Sequence, residues 1–386
     1  MLEKNNHEKY ATLKNAIKEI SRLGSLKYVP EERPKNRISR DKERKKMKTV
    51  YSYDDVLLVP KYSSVETRSQ VNLSSNLDSF LNLDMPVISS PMDTVTEASM
   101  ASSMHDHGGL GIIHRYNSIE EQVKLVRDCK TDMRCTVGAA IGATGDFVDR
   151  AAALYEAGAR VLCIDVAHGH HSLMKTALSQ IRKTLGNKVH VMAGNVATRQ
   201  AIESLADWGA DSVRVGIGGG SICSTRLVTG HGIPTFQSVL DCAETSSDIK
   251  IIADGGIRTT GDMVKALAAG ADFVMVGSML AGTNESPGEV FSDNAGKKYK
   301  VYRGMASANA QKSWRGKSST PEGISTTIPY KGPVSDILTN IAGGLRSGLS
   351  YSGARTLSEF QAKCEFILQS SAGMAESSTH ILSRYK

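Results

Sequence analysis

From residue 86 onward the chain alternates between two hydrophobic periods. Short apolar, β-branched runs end in Gly, Ser, Asp or Asn, and each gives way to a stretch with helical spacing of Ala, Leu, Ile, Glu and Lys. The runs are 86–92, 109–114, 137–142, 160–166, 189–196, 212–217, 249–256 and 272–278. The stretches 94–107, 145–157, 198–207 and 260–269 predict helices between them. Strand–helix alternation predicts parallel strands joined by right-handed crossovers. Eight consecutive units predict an α/β fold of the closed (β/α)8, or TIM-barrel, type. A doubly wound open sheet is the competing fold, but it has fewer units and a single Gly-rich turn near its start.

Polar and glycine residues gather where the runs end: Ser89-Ser90-Pro91, Asp165, Gly194-Asn195, the 216–221 loop, Asp254-Gly255-Gly256 and Gly277-Ser278. A barrel brings all of these to one mouth, where active sites sit. After the eighth run comes a long polar excursion, 283–333, with hairpin-like Lys/Tyr alternation followed by Gly, Ser and Thr. Loops of that length are functional lids or disordered, and it is read here as an active-site flap. Residues 334–347 and 356–369 look helical and should close the barrel. Before the barrel, Leu13, Ile17 and Ile20 at helical spacing predict a short amphipathic helix ending at Gly24. Residues 25–48 carry two prolines and a dense charge run, which reads as a solvated, partly disordered linker. The expected organisation is an N-terminal extension, 1–48, followed by a catalytic domain, 49–386.

Charge sharpens that division. The chain carries a net charge of +7, yet residues 1–48 hold fifteen Lys/Arg against seven Asp/Glu, so the remainder is near −1 (7 − 8). The basic character belongs to the tail, which argues against nucleic acid on the barrel surface. It leaves the tail as a possible contact for an acidic partner of unknown identity. The six cysteines are scattered without CxxC pairs, which suggests a reducing compartment without a disulfide framework or zinc site. No apolar stretch suggests a signal peptide or a membrane span, so a cytoplasmic protein is expected. His168, His170 and His171 invite a metal, but no matching Cys or carboxylate spacing follows.

Residues 216–226 read GIGGGSICSTR. Four glycines near a Ser and a Cys make a loop whose backbone can approach a ligand closely, and its free N–H groups suit a phosphate. A single barrel cysteine is usually buried packing. A cysteine in a Gly-rich loop beyond a barrel strand is better read as a nucleophile, so Cys223 is the candidate. Arg226, three residues on, is expected to raise its thiolate fraction.

GGGSICSTR is similar to the catalytic loop of the IMP dehydrogenase/GMP reductase family. The resemblance runs from Tyr51 to about Ile381. It includes SYDDVLLVP (52–60), SPMDTVTEA (90–98), GIIHRYNSIEEQ (111–122), AGNV (193–196), IADGGIR (252–258), MVGSMLAGT (275–283), YRGM (302–305), PEG (321–323), GGLRSG (343–348) and SAGMAES (371–377). The nucleotide-binding regulatory pair that many IMP dehydrogenases insert after the second helix has no counterpart.

The resemblance implies a purine mononucleotide substrate and roles for individual residues. Cys223 attacks C2 of the purine to give a covalent thioimidate, with Thr225 and Glu322 handling proton transfers. Ser90 and Met92 line the nucleotide site. Asp254 holds the ribose hydroxyls, since one carboxylate can accept from two neighbours. Ser221, Gly256, Gly277, Ser278 and Tyr302 cradle the 5′-phosphate, and Gly304 and Met305 contact the base. Asp165 and Arg115 lie on the cofactor side. The carbonyls of Gly218, Gly220 and Cys223 bind a monovalent cation such as K+. Glu376 of a neighbouring subunit completes that site, so a homotetramer is implied. Glycine at 219, where the family usually has Pro or Ser, is expected to loosen the loop.

Two activities share this intermediate. The dehydrogenases pass hydride from IMP to NAD and hydrolyse the adduct to XMP with an Arg-Tyr pair on a mobile flap. The reductases release ammonia from GMP and accept hydride from NADPH, and they lack that pair. Only sixteen residues separate Met305 from Glu322 here, and they hold no Arg-Tyr; the nearest candidate is Trp314-Arg315. That favours NADPH-dependent reduction of GMP to IMP. SPMDTVTEA, SAGMAESSTHIL and Arg115, where reductases often carry Lys, resemble the dehydrogenases instead. A weakly active nucleotide sensor is the third reading.

Overall fold

The structure is a computed structural model that describes residues 47–129 and 135–377. The helix expected before Gly24, and the linker up to residue 46, lie outside the described residues. From Val50 on, the chain belongs to one compact unit.

Each of the eight apolar runs contains a strand: β1 (Val87–Ser89), β2 (Leu110–Ile113), β3 (Val137–Ile141), β4 (Val161–Asp165), β5 (His190–Val196), β6 (Ser212–Val215), β7 (Lys250–Asp254) and β8 (Phe273–Val276). Each pairs in parallel with the next, and β8 returns to β1, Met275 lying opposite Ile88. The barrel is closed. Among the described residues, besides a short helix after β6, one longer helix joins each strand to the next: α1 (Ala98–Asp106), α2 (Ile119–Asp128), α3 (Phe147–Ala157), α4 (Ser172–Leu185), α5 (Arg199–Asp207), α6 (Thr235–Cys242) and α7 (Thr260–Ala268). An eighth, α8 (Val334–Tyr351), follows the excursion. Local chemistry sets their starts. Ser118 with Glu121, and Thr259 with Asp262, form reciprocal capping boxes at α2 and α7.

The strands read as unbroken apolar runs because both faces are buried. Inward residues such as Ile88, Leu110, Ile112, Cys163, Met192, Ile252, Phe273 and Met275 form one cluster inside the barrel. Outward residues such as Val87, Leu162, Val213 and Val274 pack with the helices in a second. The inner cluster is capped from below by a short hairpin, Ser75–Asn76 with Asn82–Leu83, which contributes Leu77 and Leu83. His190 latches this plug: Nδ1 meets Asp78 Oδ2 at 2.9 Å and Nε2 meets Ser212 Oγ at 2.8 Å.

One expectation needs correction. Residues 356–369 are not one helix. The helix Leu357–Lys363 ends at Cys364, and Phe366–Leu368 is a strand antiparallel to Val56–Leu58. Its backbone pairs with that strand, a demand that periodicity in so short a run does not reveal. The excursion holds the hairpin that its Lys/Tyr alternation suggested, together with a third strand and a helix. Phe291–Ser292, Lys298–Arg303 and Ser325–Pro329 form an antiparallel sheet, and Ala308–Arg315 is a helix capped by Ser307. Among the described residues no helix is long and apolar enough to cross a membrane.

Candidate active site

A cavity of about 1050 Å³ opens at the C-terminal ends of the barrel strands. All but one of the residues assigned by the resemblance line it.

The Gly-rich loop leaves β6 and runs to Cys223, which is exposed while the other five cysteines are buried or partly so. The Cys223 thiol donates to Thr225 Oγ1 at 3.2 Å. Thr225 begins a short helix, Thr225–Thr229. Backbone bonds stitch the loop to the excursion: Ser224 N donates to Glu322 O (3.0 Å) and Ile324 N to Ile222 O (3.0 Å), with Cys223 bridging Gly323. Cys223, Thr225 and Glu322, separated by up to 99 positions in sequence, are thereby held on one edge of the cavity.

Arg226 does not take the expected place beside the thiol. Its Nη2 donates to the carbonyls of Ile233 (2.6 Å) and Ile217 (3.4 Å), and its stem packs on Gly218. It braces the root of the loop. Gly219 lies directly on the Thr235 side chain at the start of α6.

At the turn after β8, Gly277 is the meeting point. A Cβ placed there would stand 3.3 Å from Met92 Sδ and Tyr302 Oη and 3.4 Å from Ser90 Oγ. Tyr302 reaches Ser221 Oγ at 3.5 Å. Burial raises the Tyr302 phenol, against the Ser221 hydrogen bond, so it stays a neutral donor. Lys331 Nζ donates to the carbonyls of Ser278 (2.6 Å) and Met279 (3.1 Å), which fixes the turn after β8. Gly255 and Gly256 take φ of +93° and +77°, values that admit little but glycine, and turn the backbone past the Gly-rich loop that leads to Cys223. Gly304 sits against Ile222 O, and Met305 Sδ accepts from Asp93 N at 3.5 Å. Arg303 forks onto the Asp93 carboxylate, tying the excursion to the loop after β1.

The centre of the mouth is an ion network that sequence reasoning missed. Arg214, on β6, sends Nε and Nη2 to Asp254 Oδ2 (3.1 and 3.0 Å) and Nη1 to Asp165 Oδ1 (2.8 Å). Asn195 Nδ2 adds a third donor to Asp254 Oδ2 at 2.8 Å, which leaves Oδ1 for a ligand. Burial alone would raise Asp165, but Arg214 and Arg115 outweigh it and hold this carboxyl below its ordinary range. The only sequence signal was a lone charge within the β-branched run SVRVGI, on the same strand face as Ser212.

On the far side, Arg115 Nη2 donates to Asp165 O at 3.1 Å and Tyr116 Oη to Asp165 Oδ2 at 3.4 Å. Trp314, on the excursion helix, meets Tyr116 edge-on at 5.1 Å, with Arg115 (5.8 Å) and Arg315 (4.3 Å) over its ring. Arg115 Nε, Asn117 Oδ1 and Trp314 Nε1 are buried without hydrogen-bond partners. Arg115 Nε faces Asp165 Oδ2 at 3.6 Å, whereas Asn117 Oδ1 and Trp314 Nε1, an acceptor and a donor left unpaired beside the cavity, suit a carboxamide, so this side fits a nicotinamide.

Glu376 is the exception. It ends a short helix, Ser371–Glu376, that follows Gln369, whose Nε2 donates to Asp54 O at 2.7 Å, and it does not line the cavity of its own chain. Of the three histidines, His170 bonds Ser204 Oγ at 3.2 Å and His171 caps α4. Among the described residues no group of His, Cys, Asp and Glu is arranged to hold a metal ion.

The family model for the IMP dehydrogenase / GMP reductase domain matches residues 50–380. An inosine-5′-monophosphate dehydrogenase of Nitrosopumilus maritimus is 36% identical, over 85% of this chain and 98% of its own length. A GMP reductase of Leishmania major is 34% identical, over 86% and 97%. Among solved structures, a cysteine-to-alanine variant of GMP reductase from Trypanosoma brucei, in complex with guanosine 5′-monophosphate, superposes with a TM-score of 0.82 at 31% identity, covering 86% of this chain and 98% of that one. Relatives of both names match at nearly equal identity. The chain belongs to the IMP dehydrogenase/GMP reductase family of purine-nucleotide oxidoreductases.

Proposed function

We propose that this chain reduces GMP to IMP and ammonia with NADPH, through an adduct on Cys223. The observation that carries this choice is the fold of residues 306–321. Eight of these residues form the helix Ala308–Arg315. Its ends are tied down: Gln311 Nε2 donates to Ala306 O (2.9 Å) and Gln311 Oε1 accepts from Ser319 N (2.8 Å). What it turns toward Arg115 and Tyr116 is an indole, not a base. General-base help is worth roughly 10²–10⁴ in rate, so hydrolysis of an adduct here would be slow.

The residues then divide the work. Tyr302, Ser221 and the backbone at Gly256, Gly277 and Ser278 bind the phosphate, and Asp254 Oδ1 accepts from the ribose. Ser90, Met92, Gly304 and Met305 enclose the base. Cys223 Sγ, as thiolate, bonds to C2 while the Thr225–Glu322 pair delivers the proton with which the 2-amino group leaves as ammonia. The dinucleotide, when bound, supplies a hydride to C2. The carbon–sulfur bond then breaks, IMP forms, and the thiolate returns to Cys223. Arg115, Asn117 and Trp314 would hold the nicotinamide end, and Asp165 its ribose. The carbonyls of Gly218, Gly220 and Cys223 would bind K+, completed by Glu376 of a second copy in a homotetramer.

The dehydrogenase reading draws on Arg115, which makes a forked approach to Asp165 that a lysine ammonium would not reproduce. Under that reading IMP and NAD give XMP. Following reduced-nicotinamide absorbance with each substrate pair separates the two: consumption with GMP and NADPH supports the reductase, and production with IMP and NAD alone overturns it.

A further inference from the structure

Gly219 is glycine for a reason that its backbone does not supply. Its φ lies outside the left-handed region, unlike that of its neighbour Gly218 at +77°. Any residue could adopt the conformation. What forbids a side chain is space: a Cβ at 219 would overlap Thr235 Oγ1. Thr235 is the first residue of α6, is buried, and its hydroxyl has no hydrogen-bond partner. The same side chain underlies two further glycines of the mouth. Its Cγ2 lies 3.4 Å from a Cβ placed on Gly216, and its Oγ1 lies 3.7 Å from one placed on Gly256. One small side chain at the start of α6 thus lies beneath the start of the nucleophile loop, its middle, and the turn after β7.

We propose that Thr235 is a positioning residue for Cys223, matched to glycine at 219. The loop rests on Thr235, and its path from Gly216 to Cys223 is set by that contact. A Cβ at 219 lifts the loop off α6 and carries Gly220, whose carbonyl accepts from Cys223 N at 3.1 Å, with it. The thiol then leaves its place beside Thr225. A misplacement of about 1 Å at a reacting atom can cost on the order of 10²-fold in rate. The inference rests on Cys223 being the nucleophile, and not on the direction of the reaction.

The test is a rescue series on the full chain. The readouts are the rate of Cys223 carboxamidomethylation by iodoacetamide, followed by intact mass, and kcat and KM for GMP. Gly219→Ala should slow both alkylation and kcat by about 10²-fold. Thr235→Ala in the same chain removes Oγ1 and Cγ2, and should return both to within about threefold. Thr235→Val keeps the bulk and should rescue neither; loss of a hydroxyl alone would make the two doubles behave alike. Should Gly219→Ala not fold, soluble yield reads the same pair, because the double with Thr235→Ala must fold and that with Thr235→Val must not. Full activity of Gly219→Ala, or equal behaviour of the two doubles, overturns the proposal. If Cys223 of the unaltered chain fails to alkylate, or GMP does not protect it, the nucleophile assignment falls instead.

Discussion

At the scale of single residues, the mouth is organised by one buried arginine between two carboxylates. Removing one member of such a set leaves uncompensated charge, which costs roughly 3–5 kcal/mol. Arg214→Met should therefore destabilise the chain by about that amount in urea unfolding at neutral pH. The loss has a pH signature. Asp165 titrates lower in the folded chain than the roughly 3.9 of an unfolded one. Its contribution is complete above that value and disappears as pH falls through the folded pKa. The gap in melting temperature between the natural chain and Arg214→Met should thus narrow below about pH 4; a gap constant from neutral pH to pH 3 or so would contradict this account. Cys223→Ala should abolish turnover while leaving GMP affinity within a few-fold, as read by calorimetry. Cys223 and Asp254 were legible because each stands in a Gly-rich turn that ends an apolar run. Arg214 was not, because its partners come from β4 and β7 and meet it only when the barrel closes. Arg226 was misjudged for the opposite reason: proximity in sequence suggested the thiol, and the loop carbonyls claimed its guanidinium.

At the scale of elements, the eight strands were legible because burial on both faces leaves continuous apolar runs. In the excursion the hairpin was legible from its Lys/Tyr alternation, but which of its positions are buried was not. In Lys298–Arg303 the buried positions are Lys300 and Tyr302, while Val301 faces solvent. Lys300 is satisfied by the carbonyl of Thr283 at 2.9 Å and by Ser286, which no polarity pattern anticipates. The strand Phe366–Leu368 was hidden by its shortness. Two elements give separable predictions. Asp78→Ala should loosen the hairpin plug and lower stability by about 1–3 kcal/mol with kcat unchanged, since the latch lies at the opposite end of the barrel from the cavity. Trp314→Ala on the excursion helix should raise KM for the dinucleotide severalfold and leave stability nearly unchanged. An unaltered KM would detach Trp314 from the cofactor side.

At the scale of the whole molecule, the barrel brings a loop after β6, a turn after β7 and an excursion after β8 onto one nucleotide-sized cavity. The family follows from that assembly. The proposed direction of the reaction rests on the sixteen residues between Met305 and Glu322, eight of which fold as a tethered helix that carries an indole toward Arg115 and Tyr116. The measurement that bears on this most directly is product analysis after single turnovers with GMP and NADPH, and separately with IMP and NAD. Equimolar IMP, ammonia and oxidised cofactor from the first mixture, with no XMP from the second, is the expected result. XMP from IMP and NAD, with GMP left unconsumed, would contradict it.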